Sequence, residues 1–592
     1  MVSVKEAWYD HGSRPISKSE NQPRSMFEAS AWFLRRSANK VHVRTADTPN
    51  IKMNIKPFTC AFVLIAITVS PILAQSIATS PLAPPGPATS QTNQFRLGNL
   101  TITGNTHARL FVILRMIPLN EGDIFNQSLW DFGIDQINRS GLFEPIEPKD
   151  VVMKPNSATG FVDIELHLKE RDHQRIDLSG GGGTTGGASL SLDYSNINLT
   201  GRGDRLIGRA RIGTREQSGG VDYSSLIDGR LPLSLNLSGF FERFDLVNAS
   251  TNSQGSQPLF VEKTAGASIG LFLPLNRSRY TLTATTRAGL VYSFTSTNLA
   301  DALLSGAAAP SSLQQGGLRI ASITPLLIHD TLDREFDPNR GSRLVAGFDL
   351  AARALGGSLN TFKPYIDYRR FLRVGRDDDA SREPMAVGFR ARASHIRSFG
   401  EPFTEQALST VRGVPVFKRF FEGGETEVRG YDVNSIAPLA RVERFLMSGA
   451  NAPTLLSSEV RPVGGDTELL FNAEYRVPII WRLSSAAFFD IGTSFNARGL
   501  TRESFETATQ VQPTGAPATI ITVLKPLKPG QDFLPSYRYS LGGELRFPIP
   551  VLNIPLRLIF AWNPNAQKLV PDGALLAPEK RFAFRVGFTR TL

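Results

Sequence analysis

The chain has 592 residues, 20% of them charged, with a formal net charge of +11 and a mean hydropathy close to zero. That balance excludes both a helical membrane protein and a disordered chain, and the length exceeds one ordinary soluble domain of about 150 residues. Basic residues are scattered through alternating segments instead of clustered, so nucleic-acid binding is not indicated.

The first element in chain order is a hydrophobic run, Phe58 to Leu73 (FTCAFVLIAITVSPIL), with Lys52 and Lys56 before it and Ala74, Ser76 and Ala78 after it. A positive start, an apolar centre and a small-residue exit make a secretory signal peptide over residues 53–78. A transmembrane anchor is the alternative, but the run falls short of the roughly 20 residues a helical span needs, and Pro71 interrupts its end. Met53 begins the pattern, so residues 1–52 read as an upstream extension without structure. Cys60, the only cysteine, lies inside the signal. The mature chain then has no thiol, disulfide or thiolate metal site. About ten basic and five acidic residues precede position 75, leaving roughly +6 of the +11 beyond it. Residues 79–94 are mostly Pro, Ser, Thr, Ala and Gln, the composition of a flexible linker.

Residues 95–172 have the pattern of a small α+β domain. A strand from Phe95 to Thr103 ends at the turn signal Gly104-Asn105. Thr106 is placed to cap a helix from His107 to Ile117, stopped by Pro118. A second helix follows Asn126, spaced by Leu129, Trp130, Ile134 and Ile137, and closes at Gly141. Strands Ile146–Lys154 and Phe161–Lys169 complete the order β-α-α-β-β. The segments ITGNT, IPLNEGDIFN, INRSGLFEPI and VDIELHLKE resemble the successive signatures of a POTRA (polypeptide-transport-associated) domain, present in one copy.

From residue 173 to 592 the period changes to two. Leu190, Leu192 and Tyr194 alternate with Ser189, Ser191 and Asp193; Leu233, Leu235 and Leu237 with Ser234, Asn236 and Ser238. Tyr280, Leu282, Ala284, Ala288, Leu290 and Tyr292 share one side of a long strand. One apolar and one polar face per strand is the pattern of a transmembrane barrel with lipid outside and water inside. A soluble sandwich would also alternate, but about 420 residues suit one closed barrel better. About 16 antiparallel strands are expected, starting near 175, 187, 203, 217, 232, 259, 279, 318, 342, 360, 384, 465, 483, 534, 553 and 580. Connections 296–316, 400–464 and 498–533 are the long ones and should face the cell exterior.

Five ordered motifs in this stretch, NLTGRGD (198–204), DTLDREFDPNRG (330–341), GGETEVRGYDVNSIAP (423–438), FNAEYRVPI (471–479) and FFDIG (488–492), together with the POTRA-like segment, resemble the BamA/TamA superfamily of outer-membrane assembly and translocation proteins. The resemblance covers residues 95–592. It implies a sixth loop, flexed at Gly423 and Gly424, that folds into the lumen and carries Val428, Arg429, Gly430 and Tyr431. Arg429 would then dock on Asp490, with Glu474 as a second partner, through a planar fork that matches carboxylates. Val411-Arg412-Gly413 repeats three of the loop residues in another context.

The run Gly180-Gly181-Gly182-Gly183 interrupts the first barrel strand. It reads either as a hairpin turn or as a weak seam where first and last strands meet, since glycine adds no side-chain packing. An open seam exposes strand edges that template pairing with an incoming strand. The end of the chain, with Phe584, Val586 and Phe588 alternating before Leu592, resembles an outer-membrane assembly signal, departing from the commonest form by its terminal leucine. No catalytic arrangement, cofactor motif or metal spacing is present, and the seven histidines are scattered. The expectation is a non-enzymatic outer-membrane protein with a periplasmic POTRA domain, acting on unfolded outer-membrane or secreted clients, in contact with outer-membrane lipid and lipopolysaccharide, and served by periplasmic accessory proteins or lipoproteins. A transporter of one dedicated client, as in two-partner secretion, and a passive porin are the alternatives.

Overall fold

The computed structural model describes residues 95–587 except 184–186, 228–230, 248–257, 277–283, 301–317, 335–336, 376–383, 401–409, 412, 448–453, 481–482, 498–504, 512–516, 527–536, 550–553 and 568–577. The signal and linker readings, Tyr280, Leu282, Phe588 and Leu592 therefore lie outside the described residues.

Strand β1 (Arg96–Thr103), helices α1 (Leu110–Met116) and α2 (Gln127–Ser140), and strands β2 (Val151–Asn156) and β3 (Phe161–His167) follow in the order β-α-α-β-β. The three strands form a sheet in the order β1-β3-β2, with β1 parallel and β2 antiparallel to β3. Alternation in β3 buries Val162, Ile164 and Leu166 against Val112, Ile113 and Met116 of α1 and Trp130 and Ile137 of α2. Each such side chain contributes about 1.5–3 kcal/mol on burial. Gly133 lets the helices approach, since a Cβ there would lie 3.2 Å from the Ile117 Cα. Asn126 caps α2 by accepting from the Leu129 N–H, and Gly141 ends it in the left-handed region. Thr106 does not cap α1: the helix begins three residues later than its pattern suggests, and the Thr106 hydroxyl donates to Glu170 instead.

The rest is a closed antiparallel barrel. Its first half comprises β4 (Gln174–Gly183), β5 (Gly187–Ile197), β6 (Arg205–Gly213), β7 (Glu216–Leu226), β8 (Ser234–Val247), β9 (Pro258–Pro274), β10 (Thr286–Ala300) and β11 (Leu318–Asp330). The second half has β12 (Gly341–Ala351), β13 (Thr361–Val374) and β14 (Met385–His395), extended by the short β15 (Arg397–Ser398). After a long connection containing β16 (Thr410–Val411), β17 (Val414–Pro415), β18 (Leu439–Met447) and β19 (Thr454–Pro462), the wall resumes with β20 (Thr467–Ile480) and β21 (Leu483–Phe495). A second long connection holds β22 (Phe505–Val511) and β23 (Pro517–Pro526), and β24 (Arg538–Ile549), β25 (Ile554–Trp562) and β26 (Phe582–Gly587) close the ring against β4. With β15 counted as an extension of β14, the wall has 16 strands among the described residues.

The period-two pattern sets the two faces. Ile176, Leu178, Leu190, Leu192, Leu237, Ile269, Leu290, Phe560 and Phe584 point outward and are exposed, whereas Ser191, Arg390, Glu468, Asn472, Glu544 and Arg585 point inward and are buried. Such an apolar outside on a closed strand order is the arrangement a bilayer demands.

Two long connections carry strands of their own, and one expectation about the first strand needs correction. The segments 400–464 and 498–533 are not bare loops: β18 and β19 from the first join β22 and β23 from the second in a four-stranded sheet ordered β19-β18-β23-β22. Nor does the glycine run break the first strand. β4 continues through Gly180–Gly183, in register with β5 as far as Gly183 opposite Gly187, because backbone pairing needs no side chain.

Candidate functional site

Between β15 and β20 the chain turns back into the barrel. Its neck is a pair of backbone hydrogen bonds between Phe420 and Gly465 (2.9 and 2.8 Å), followed by a pair between Glu422 and Ile436 (3.0 and 2.9 Å). The Gly424 N–H then reaches the Tyr431 carbonyl at 3.1 Å. Gly423 and Gly424 have φ of +110° and +98°, and a Cβ on Gly423 would sit 2.3 Å from the Asp432 carbonyl oxygen. Only glycine makes this turn without strain. Val428, Tyr431 and Ile436 pack on Leu470 of β20, so apolar contact helps to seat the loop.

Arg429 lies at the tip with no exposed surface. Its backbone N–H and Nε donate to Asp490 Oδ2 at 3.0 and 2.8 Å, and its Nη2 donates to Oδ1 at 2.8 Å. Nη1 reaches Glu474 at 2.9 Å and Glu544 at 3.2 Å. The guanidinium also lies 3.8 Å from the centre of the Phe488 ring, a cation–π distance. These partners come from β20, β21 and β24, and strand alternation aims all of them inward. Phe488, Asp490 and Gly492 are alternate residues of β21, and Asn472, opposite Asp490 in register, donates a further bond to it at 2.8 Å. Gly542 of β24 makes room for the Phe488 ring, since a Cβ there would lie 2.5 Å from its tip.

The acidic partners are themselves held by arginines. Glu474 binds Arg476 and, at 2.7 Å, Arg546; Glu544 binds Arg546 and Arg557, both at 2.6 Å. Arg476 then reaches Asp337 at 2.9 Å and the Pro338 carbonyl at 2.9 Å. Asp337 belongs to the turn between β11 and β12, at the opposite end of the barrel wall from the long connections. Four guanidinium groups thus meet four carboxylates, which offsets the cost of removing each from water.

Two further groups lie beside the tip. Arg392 of β14 pairs with Glu427 at 2.6 Å. Glu422 is fully buried, and neither carboxylate oxygen has a hydrogen-bond partner.

The remaining predicted positions lie elsewhere. Gly180–Gly183 are in β4, the neighbour of β26 across the closure. Phe584 and Val586 face outward from β26, while Phe588 and Leu592 fall outside the described residues. Val411 of the repeated Val-Arg-Gly triplet is in β16, which pairs with β17.

The α+β domain is tied to the barrel by its own contacts. The Arg109 N–H donates to the Gly201 carbonyl at 2.9 Å, Arg115 to the Ile227 carbonyl at 2.9 Å, and the His107 ring meets the Asn198 carbonyl at 2.8 Å. Glu170, at the end of the α+β domain where it bridges Phe143, accepts from the His107 and Ala108 N–H groups at 3.0 and 2.7 Å and from the Thr106 hydroxyl at 3.0 Å. Partial burial opposes its ionisation, but these donors outweigh it and hold the carboxyl below its ordinary range.

Sequence reasoning missed Phe488, Gly492, Glu544, Arg476, Arg546, Arg557 and Asp337. For the first two the signal was present: they share the parity of Asp490 within FFDIG and so had to face the same way.

A family model described as the Omp85 superfamily domain matches residues 198–589, and one described as a POTRA surface antigen variable number repeat matches residues 95–171. Among sequence relatives, an outer membrane protein assembly factor BamA from Neorickettsia risticii is 24% identical over 408 residues, 68% of this chain and 47% of that protein. A protein of the same name from Nitratidesulfovibrio vulgaris is 22% identical over 410 residues, 68% of this chain and 44% of its own length. The chain therefore spans about half the length of these relatives. The solved structure of BamA from Haemophilus ducreyi lacking POTRA domains 1–3 aligns over 92% of this chain and 95% of that one, with a TM-score of 0.52 and 16% identity, a likeness of fold.

Proposed function

The chain belongs to the Omp85 superfamily, and from that premise we propose that it is an outer-membrane protein that inserts barrel proteins into the outer membrane or passes proteins across it. The observation that carries this reading is the loop held inside the barrel by Arg429, in a wall whose last strand meets a first strand carrying four successive glycines. A wall weakly packed where its ends meet can part there, and the freed strands can template a client strand. The POTRA domain offers its sheet edges to extended clients in the same way. The roles of Gly423, Gly424, Val428, Gly430 and Tyr431 are to bend and seat the loop; those of Asp490 and Glu474 are to receive its arginine. Outer-membrane lipid and lipopolysaccharide surround the barrel, and accessory periplasmic proteins or lipoproteins would act through the POTRA domain. No step requires bond-breaking chemistry.

Depletion of the protein, followed by quantification of outer-membrane barrels and secreted proteins, tests the reading. A broad loss of barrels with precursors accumulating in the periplasm is the expected result. Loss of a single exported protein would make it a dedicated transporter. Unchanged levels of both would overturn the reading in favour of a porin.

A further inference from the structure

The lumen acids do not account for every contact of the loop tip. Beyond Arg429 the tip turns to the last two strands of the wall. Arg585, an inward residue of β26, donates from Nη2 to Asp432 at 2.7 Å and lies 3.2 Å from the Gly430 carbonyl, to which Asn563 at the end of β25 also donates at 3.0 Å. Arg557 of β25 reaches the Glu425 carbonyl at 3.4 Å. The loop runs close enough that a Cβ on Gly430 would overlap Ala561 of β25 (2.7 Å), and one on Gly587 of β26 would touch Glu425 (3.4 Å). Gly430 has φ of +103°, a conformation that aims its carbonyl at both donors without side-chain strain.

We infer that the docked loop is also an inner clamp on the closing strand: Asp432 and the Gly430 carbonyl grip Arg585 of β26 and keep the wall shut beside β4. The physical case rests on what else holds β26. On one side it is fully paired with β25, from Arg557 opposite Gly587 to Trp562 opposite Phe582. On the other it meets β4, a strand that carries glycine at 180–183, where no side chain adds packing to the backbone pairing. The ion pair has little competition from water, with Arg585 at 8% and Asp432 at 24% side-chain exposure, so it is screened less than a surface pair. Asp432 and Arg585 are therefore positioning residues: withdrawing the loop tip and freeing the last strand become one event. The consequence for client entry rests on the insertion reading; the clamp itself does not.

Hydrogen–deuterium exchange on the purified full chain in lipid nanodiscs tests it. Asp432→Asn and Arg585→Ala should each raise exchange several-fold in peptides covering 582–587, while peptides covering 467–495, where Arg429 docks, stay protected. Asp432→Glu, which keeps the carboxylate, should retain most of the protection, and the exchanged pair Asp432→Arg with Arg585→Asp should recover part of it. Exchange over 582–587 equal to the unmodified protein, or a rise of the same size in every strand, would overturn the clamp. Client levels read in parallel separate the two ideas. A loosened strand with unchanged barrel proteins would leave the clamp standing and count against insertion; an unaltered strand with depletion still lowering barrel proteins would do the reverse.

Discussion

Arg429 meets Asp490 three times, through its backbone N–H, its Nε and its Nη2, all within 3.0 Å. Because one contact comes from the main chain and two from the side chain, the loop backbone and the guanidinium are positioned by the same carboxylate. No water competes, since both residues are fully buried.

Replacing Arg429 with Ala leaves Asp490, Glu474 and Glu544 short of their shared cation. Breaking a buried pair by removing one partner costs about 3–5 kcal/mol. The expected outcome is a lower temperature for the shift from folded to unfolded mobility on a denaturing gel, with the loop open to added protease. Arg429→Lys should fall between the two, because an ammonium cannot bind Asp490 through a fork. An Ala variant that melts like the unmodified protein would show that the docking contributes nothing.

Glu422 gives the opposite expectation. Its buried carboxylate has no hydrogen-bond partner, so its charge is a liability. Glu422→Gln should leave loop docking as tight as before or tighter, read by the same gel shift. Destabilisation as large as that from Arg429→Ala would mean that the charge is needed.

Gly492 is a steric requirement. A Cβ there would lie 2.1 Å from the Glu422 carboxylate and 2.7 Å from a Val428 methyl. Gly492→Leu should push the loop off β21 and expose residues 420–436 to protease, while the barrel still folds. Continued resistance to protease would show that the loop accommodates the bulk.

The POTRA segment that meets the barrel, around residues 106–109, should loosen in acid. The Glu170 carboxyl is held below its ordinary range in the folded protein, so its contribution is present above the unfolded value of about 4.3 and is lost as pH falls through the folded one. Exchange of the amides at 106–108 should be slow near neutral pH and accelerate, after correction for intrinsic rates, below about pH 4. Glu170→Ala should remove that pH step and cost about 1–3 kcal/mol at neutral pH. A step that persists in the variant would assign it to another group.

Much of the barrel was legible because alternation is a local property: Leu290 and Tyr292 lie on one face whatever strands lie beside them. The Arg429 loop could be located through the resemblance of GGETEVRGYDVNSIAP to the sixth loop of the superfamily, its four-residue core being too short on its own. What escaped depended on proximity between distant segments. Glu544 lies 115 residues from Arg429 and Asp337 lies 139 from Arg476, and a lumen-facing carboxylate carries no mark of which cation it will meet. The sheet of β18, β19, β22 and β23 was hidden for a similar reason, since its pairing joins two separate connections. Thr106 misled because a hydroxyl before a helix signals a cap, whereas the nearby Glu170 offered a stronger acceptor.

Glu474 sits between Arg429, on the loop from one end of the barrel, and Arg476, which holds Asp337 on the turn from the other. The wall residues Glu474 and Arg476 thus link the two: withdrawing the loop leaves Glu474 without Arg429, withdrawing the turn leaves Arg476 without Asp337, and either departure uncovers charge inside the wall. In an electrical recording across a planar bilayer, the protein should switch between two conductance levels, closed and open, without the intermediate steps that two independent gates would produce.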